Sequence, residues 1–287
     1  MASGNSATFS FVERVTFLTS RKHFSFLLLR RKSNRVFSEN LTSFFISVNL
    51  FSLIIFFMKF TDNLISGALI KRYKRFFVDV KVNNQIITAH CPNSGSMLGL
   101  LDKNNKIWIS RSNNPKRKLK FTLELIKVKN SLVGVNTIFA NKIVLEALNN
   151  KTIKEFIKFE NIKTEAVYDT NTRFDFLLKK NDRKVFLEVK NVTLSTKENV
   201  AEFPDAITSR GTKHLTKLIE AKKKGYESYI LYLIQREDCN QFKIADKIDT
   251  EYKKACIEAK KKGVKILSYN CKLSPQEIKV NEPVKIL

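Results

Sequence analysis

From Leu64 onward the chain alternates apolar and polar residues in short runs, and the period of the alternation changes partway along. Up to Ile126 the period is two. It predicts strands over Leu64–Ile70, Phe76–Val82, Gln85–Ala89, Ile107–Ser110 and Lys120–Ile126, with Asn83-Asn84 as a tight turn between two of them. Five short strands with turn signals suit a small barrel, and the OB fold is one such architecture. A helical period follows from Asn141 to about Asn149, with Asn141 as N-cap and Ile143, Val144, Ala147 and Leu148 on the apolar side.

Further on, Thr208–Lys224 and Asp246–Lys262 predict helices closed by Gly225 and Gly263. In the first of them Leu215, Leu218 and Ile219 form the core stripe, and Lys213, His214 and Lys217 fall largely off it. Tyr229–Gln235 is a continuous apolar run, as in a fully buried strand, and Val264–Asn270 predicts another strand. The pattern is α/β (α+β overall). It divides into an atypical extension at 1–57, an OB-like barrel at 58–130 and a mixed-sheet α/β domain at 131–287.

The period-two pattern returns at Arg173–Leu178 and Lys184–Lys190, around Lys179-Lys-Asn-Asp-Arg183. Asn181-Asp182 suits a two-residue hairpin turn. If Lys180 and Arg183 close it, counting puts Asp175 opposite Glu188 and Arg173 opposite Lys190 on one face. Phe174, Phe176, Leu187 and Val189 then fill the other. Like charges facing each other destabilise a sheet, so two opposed carboxylates call for a cation. Asp-x12-Glu-x-Lys therefore predicts a site for a hard, oxygen-seeking metal, Mg²⁺ or Mn²⁺, with Asp175 and Glu188 as ligands. Lys190 would stand beside the metal's water, where its ammonium can orient a nucleophile or stabilise developing charge. The alternative is an exposed ladder of charges, which would more naturally set opposite signs across from each other.

Charge extends this picture. The 287 residues carry 52 Lys and Arg against 27 Asp and Glu, a net +25. Such an excess points to a polyanion, DNA without strong sequence preference in the first place, although an AT-rich genome also enriches lysine. Arg72, Lys74 and Arg75 lie among Tyr73, Phe76 and Phe77; the basic groups are expected at phosphates, and Phe76 in the core. Ser94 and Ser96 flank Gly95 in a loop that is either an anion nest or a plain turn. Lys116 and Arg117 belong to a basic loop, Asn113–Lys120, whose default is solvation. Arg173, Arg210, Lys213 and His214 complete the candidate nucleic-acid contacts. A lone histidine on a helix flank more often has neither a phosphate nor a catalytic role. Gln235 is a further candidate for the polar lining. The four cysteines have no C-x-x-C spacing and read as reduced thiols of a cytoplasmic protein.

Residues 1–57 differ in kind. They hold 11 of the 23 Phe, seven Lys/Arg and two acids, and without them the net charge is still +20. Leu41–Met58 runs 18 residues without a charge, at the lower limit for a membrane span, but five polar residues interrupt it. Spurious upstream translation before Met58, a targeting segment and an anchor are the three readings. No stable membrane association is expected.

At Asp175…Glu188-Val-Lys190 the chain resembles the metal site of the PD-(D/E)XK nuclease superfamily. Its wider string is similar to the sugar fermentation stimulation protein family: Arg72-Tyr-Lys-Arg-Phe-Phe-Val-Asp-Val80, His90-Cys-Pro-Asn-Ser-Gly-Ser-Met97, Gly134-Val-Asn-Thr137, Glu188-Val-Lys-Asn-Val-Thr193, Phe203-Pro-Asp-Ala206 and Arg210-Gly-Thr-Lys-His214. The resemblance runs from about Leu64 to Tyr269. It implies an OB-fold domain, a nuclease-like α/β domain and DNA binding, with the Val189 carbonyl as a third metal ligand. It also makes Glu146, on the helix before the hairpin, a candidate ligand, though a solvated glutamate fits that spacing too. Two functional classes follow: a metal-dependent nuclease, or a DNA-binding regulator that keeps the nuclease fold without turnover.

Overall fold

The computed structural model describes residues 58–60 and 62–287, so the readings of 1–57 lie outside the described residues. The first domain is a barrel of β1 (Ile65–Tyr73), β2 (Phe77–Val82), β3 (Gln85–His90), β4 (Lys106–Arg111) and β5 (Phe121–Val128). The sheet order is β3-β2-β1-β4-β5, and β3 closes onto β5 through His90↔Thr122. Leu69, Val78, Val80, Ala89, Ile107, Ile109, Leu123 and Ile126 fill the interior. Asn83 and Asn84 take φ of 45° and 64°, as the tight turn requires. A further strand, β6 (Ser131–Gly134), pairs with β5, so the barrel sheet runs past the boundary expected at 130.

Phe76 does not enter the core; it is 42% exposed. Lys74 and Arg75 both adopt positive φ in the β1–β2 turn, and Phe76 still belongs to that turn. The strand alternation starts one residue later, sending Val78 and Val80 inward.

The second domain contains α1 (Ala140–Asn149), β7 (Asn161–Asp169), β8 (Thr172–Lys180), β9 (Arg183–Val192), β10 (Leu194–Lys197), β11 (Asn199–Phe203), α2 (Ser209–Lys223) and β12 (Glu227–Ile234). β13 (Cys239–Ile244), α3 (Thr250–Lys261), β14 (Lys265–Leu273), β15 (Ile278–Pro283) and β16 (Lys285–Ile286) complete it. Its main sheet has the order β15-β14-β12-β9-β8-β7, with β9, β12 and β14 parallel and the others antiparallel. A smaller sheet runs β10-β11-β13-β16. On one face Ile143, Val144, Ala147 and Leu148 of α1 share a core with Phe176, Leu187, Leu231 and Leu233. On the other, Leu215 and Leu218 of α2 and Tyr252 and Ala259 of α3 pack with Phe186, Ile230 and Tyr232.

Thr208 caps α2 by accepting the Gly211 amide at 3.1 Å, and Asp249 caps α3 by accepting that of Tyr252 at 2.9 Å. The Gly134 amide donates to the Gln235 carbonyl, and Val133 bridges Arg236, tying the barrel to the α/β domain. The four cysteines are buried free thiols. No helix among the described residues is long and apolar enough to cross a membrane.

Candidate active site

The β8–β9 hairpin closes at Lys180↔Arg183, as counting requires, and the register holds to Phe176↔Leu187. There the ladder gives way. The Asp175 carboxylate accepts the Val189 amide at 2.7 Å, taking a bond that a main-chain carbonyl would take in a regular ladder. On β7, Glu165 across from it takes φ of 48°. Side-chain alternation therefore breaks at Asp175. Phe176 joins the α1-side core, whereas Phe174, expected on the same face, joins the α2-side core against Phe186 and His214.

Glu188 is buried to 3% exposure. Its Oε1 accepts Lys190 Nζ at 2.7 Å and also meets His214 Nδ1 at short range, while its Oε2 has no partner among the described residues. Burial alone would raise the Glu188 pKa; the bonds from His214 and Lys190 outweigh it and hold the group below the ordinary carboxylate value. Asp175 moves the other way. Burial first, then the Glu188 charge, push it up to about 6 against the bonds from Val189 and Asn141.

His214 is buried, contrary to the expected stripe. The buried face of α2 runs Gly211, His214, Leu215, Leu218, Ala221, a helical spacing legible in the sequence once Gly211 is counted as apolar. Asn141 was expected as an N-cap; instead its amide donates to Asp175 Oδ1 at 2.7 Å and Phe139 holds the cap position without a side-chain bond. Asn141 is thus a site residue that cap-based reading misassigned.

Glu146, five residues along α1 from Asn141, is turned roughly 140° away around the helix. Its carboxylate accepts the Met58 amide, with Glu277 and Lys279 as charged neighbours, away from Asp175 and Glu188. Gln235 likewise points elsewhere: it donates to Asn191 and lies against Gly134. Among the described residues no group of three or more His, Cys, Asp and Glu is gathered for a metal. What the fold brings together here is a pair of carboxylates, Asp175 and Glu188, near enough for the charge of Glu188 to act on Asp175.

Beside Asp175 opens a cleft of 510 Å³ whose lining includes Glu165, Arg173, Asp175, Arg210, Lys213 and His214. All of these but Glu165 were singled out from the sequence. Glu165 was not, because no pattern marks a left-handed residue inside a strand. The hairpin ladder ends at Phe176↔Leu187, so neither the expected Asp175–Glu188 pair nor the expected Arg173–Lys190 pair belongs to it; Arg173 pairs with Val167 on β7, and Lys190 forms an ion pair with Glu188.

On the barrel, Lys74, Arg75 and Lys116 are exposed, and Arg117 donates to Thr122 at 3.0 Å. Arg72 is otherwise engaged. Its guanidinium donates to the carbonyls of Arg75, Asn93, Gly95 and Ser96 and so holds the loop in shape, which leaves it poorly placed for the expected phosphate contact. That loop also departs from an open anion nest. The Gly95 amide donates to Asn93, the Leu98 amide to Ser96, and the Met97 amide to Asp205 at 3.4 Å. A carboxylate from the α/β domain occupies the position, while the Ser94 and Ser96 side chains stay at the surface.

Comparison with known proteins agrees with this architecture. Residues 70–135 match the SfsA N-terminal OB domain, and residues 138–277 match the sugar fermentation stimulation protein RE domain. A sugar fermentation stimulation protein homolog of Pelagibacter ubique is 57% identical over 230 residues, covering 80% of this chain and 99% of the relative. One of Maricaulis maris is 40% identical over 231 residues, covering 80% and 98%. The solved structure of Pyrococcus furiosus SfsA in complex with Ca²⁺ superimposes with a TM-score of 0.73 at 20% identity, covering 80% of this chain and 98% of that one. With its barrel and mixed-sheet α/β domain in the same order and at these identities, the chain belongs to the sugar fermentation stimulation protein family.

Proposed function

We propose that this protein is a Mg²⁺- or Mn²⁺-dependent nuclease that binds DNA without strong sequence preference and hydrolyses phosphodiester bonds. The observation that carries the reading is Glu188: a carboxylate at 3% exposure with one oxygen unpartnered, beside an Asp175 whose pKa is pushed up to about 6. Buried acceptors rarely stay unsatisfied, and a divalent cation would satisfy this one while relieving the repulsion from Asp175. The donor set is all oxygen, which fits a hard cation. The Pyrococcus relative was solved with Ca²⁺, an ion of the same class.

In this reading Asp175, Glu188 and the Val189 carbonyl would hold the metal. When bound, it would supply Lewis acidity at a phosphoryl oxygen and a water of lowered pKa. Asn141 orients Asp175 and His214 orients Glu188, each through one hydrogen bond. Arg173, Arg210 and Lys213 draw the phosphate backbone into the cleft, and Lys190 Nζ holds the attacking oxygen or the developing charge. Glu146 and Arg72 have no part in it.

One observation favours the non-catalytic regulator: Lys190 Nζ is already bonded to Glu188, with its side chain 13% exposed. Incubating the protein with labelled single- and double-stranded DNA, with and without Mg²⁺ or Mn²⁺, separates the two. Metal-dependent cleavage that Glu188→Gln abolishes supports the enzyme. Binding without cleavage under either metal leaves the regulator.

A further inference from the structure

The outward face of the barrel carries aromatic rings where solvent-facing strand positions are ordinarily polar. Tyr73, Phe77 and His90 occupy one cross-strand row, Tyr73 opposite Phe77 and Phe77 opposite His90. The Tyr73 and Phe77 rings stack at 5.6 Å and 22°. Phe76 lies over His90 at 6.4 Å and 29°, with 42% of its surface exposed. None of the four belongs to the barrel core.

Cations flank these rings. Lys74 and Arg75 precede Phe76 and are exposed. Arg117 is anchored on Thr122, the residue paired with His90 where the barrel closes. Asp79, an acid beside the row, is engaged by Tyr73, Thr88 and Lys71. Burial, then the Arg117 charge, lower the His90 pKa, which favours the neutral ring.

Arg75 also lines a second cleft, of 410 Å³, which contains Thr208, the cap of α2, and Asn191, the residue after Lys190. The aromatic strip therefore adjoins a cleft that reaches the strand carrying Glu188 and Lys190.

We propose that the Phe76–His90 pair, with Tyr73 and Phe77 beside it, is a stacking platform for unpaired bases, so that the protein engages single-stranded nucleic acid next to its cleavage centre. Bases in a duplex are stacked on each other and cannot use an exposed ring; an unpaired base can, whatever its identity, while Lys74 and Arg75 meet the adjoining phosphates. The inference rests on the nucleic-acid reading above and adds the strandedness of the ligand.

The test uses the full chain and a short single-stranded oligodeoxynucleotide bearing a fluorescent purine analogue whose emission falls on stacking, with a duplex of the same sequence as comparison. Wild type should quench the single strand and bind it. Phe76→Ala should abolish the quenching and weaken single-strand binding roughly tenfold, with duplex affinity little changed. Phe76→Tyr should restore both, which a merely charged surface would not do. Phe76 is a surface residue, and its removal should leave the fold intact. Unchanged quenching and affinity in Phe76→Ala would overturn the platform and leave the nucleic-acid reading standing. If wild type binds neither strand at low salt, that reading fails, and the platform with it.

Discussion

Asp175 and Val189 are joined by a hydrogen bond of 2.7 Å from the Val189 amide to the Asp175 carboxylate, across the gap where the β8–β9 ladder stops. The carboxylate does two things at once. It satisfies a backbone donor that the end of the ladder would otherwise orphan, and it stands within the field of Glu188, which, after burial, helps push its pKa up to about 6. Strand register and site charge are thereby coupled in one side chain.

That coupling predicts a pH dependence of stability in the metal-free protein. A carboxyl whose folded pKa lies at about 6, above an unfolded value of 3.8, is protonated more readily when folded. Its contribution is fully present below the unfolded value and is lost as pH rises through about 6, up to about 3 kcal/mol at most. Urea denaturation in a chelator should therefore show Asp175→Asn losing less stability than wild type across that window. Glu188, held low, titrates in the opposite sense at more acidic pH, and the difference between wild type and variant isolates Asp175. Identical slopes for the two proteins would contradict the assignment.

The same proton competes with a metal. Mn²⁺ affinity, followed by calorimetric titration, should fall as pH drops below about 6 and should be lost or strongly weakened in Asp175→Asn. Lys190→Ala should bind Mn²⁺ as well as wild type does while losing any cleavage, since its ammonium serves the reaction and not the coordination. Equal Mn²⁺ affinity in wild type and Asp175→Asn would remove the site and leave the regulator.

His214 and Glu188 predict a cost of a different kind. Removing the ring leaves a buried carboxylate with Lys190 alone as its partner. His214→Ala should destabilise the fold by about 2 kcal/mol, the scale of a lost hydrogen bond to a charged buried group. Chemical denaturation reads it directly; a change within error of zero would mean that the contact contributes nothing net.

Salt dependence distinguishes the cations. Binding of duplex DNA should weaken steeply with salt, and Arg210→Ala or Lys213→Ala should each reduce the slope of log affinity against log salt by about 1. Arg72→Ala should leave that slope unchanged, because its guanidinium is spent on four carbonyls. It should instead speed hydrogen exchange in residues 93–97, whose backbone that guanidinium holds. A reduced slope in Arg72→Ala would return it to the phosphate-binding set.

The strands of the barrel and the register of the hairpin were legible because both are local: alternation of period two and a two-residue turn fix them within a few residues. That counting singled out Asp175, Glu188 and Lys190, but the cross-strand pairs it set for them lie beyond the point where the ladder ends. What was not legible depends on events that reverse a local rule. The parity break at Asp175 sent Phe174 to the other face, and the two left-handed residues Lys74 and Arg75 kept Phe76 out of the core. Asn141 gave up its cap for a tertiary partner, and Glu146 sits on a side of α1 that only the packing of that helix reveals. β6, β7, β10, β11, β13, β15 and β16 had too little alternation or too few apolar residues to stand out.

Gly95 and Asp205 supply a test of how the two domains are joined. A Cβ built on Gly95 would lie 2.0 and 2.4 Å from the Asp205 carboxylate oxygens, closer than atoms can approach. Gly95 does not occupy the left-handed region, so alanine costs nothing in backbone conformation there and any penalty comes from the contact. Gly95→Ala must push the Asp205 carboxylate aside and break its bond from the Met97 amide; the displaced atoms are the tip of a partly exposed side chain, so the cost should be about 1 kcal/mol, the scale of one hydrogen bond. Asp205→Ala alone should cost less, because it removes one long hydrogen bond at 3.4 Å. In the double variant the clash has no second partner, so its loss of stability should be smaller than the sum of the two single losses, by up to about 1 kcal/mol. Urea denaturation of the four proteins measures the coupling. Strictly additive losses would show that the Asp205 carboxylate does not sit against Gly95, and the loop would then be an open nest, free for a phosphate.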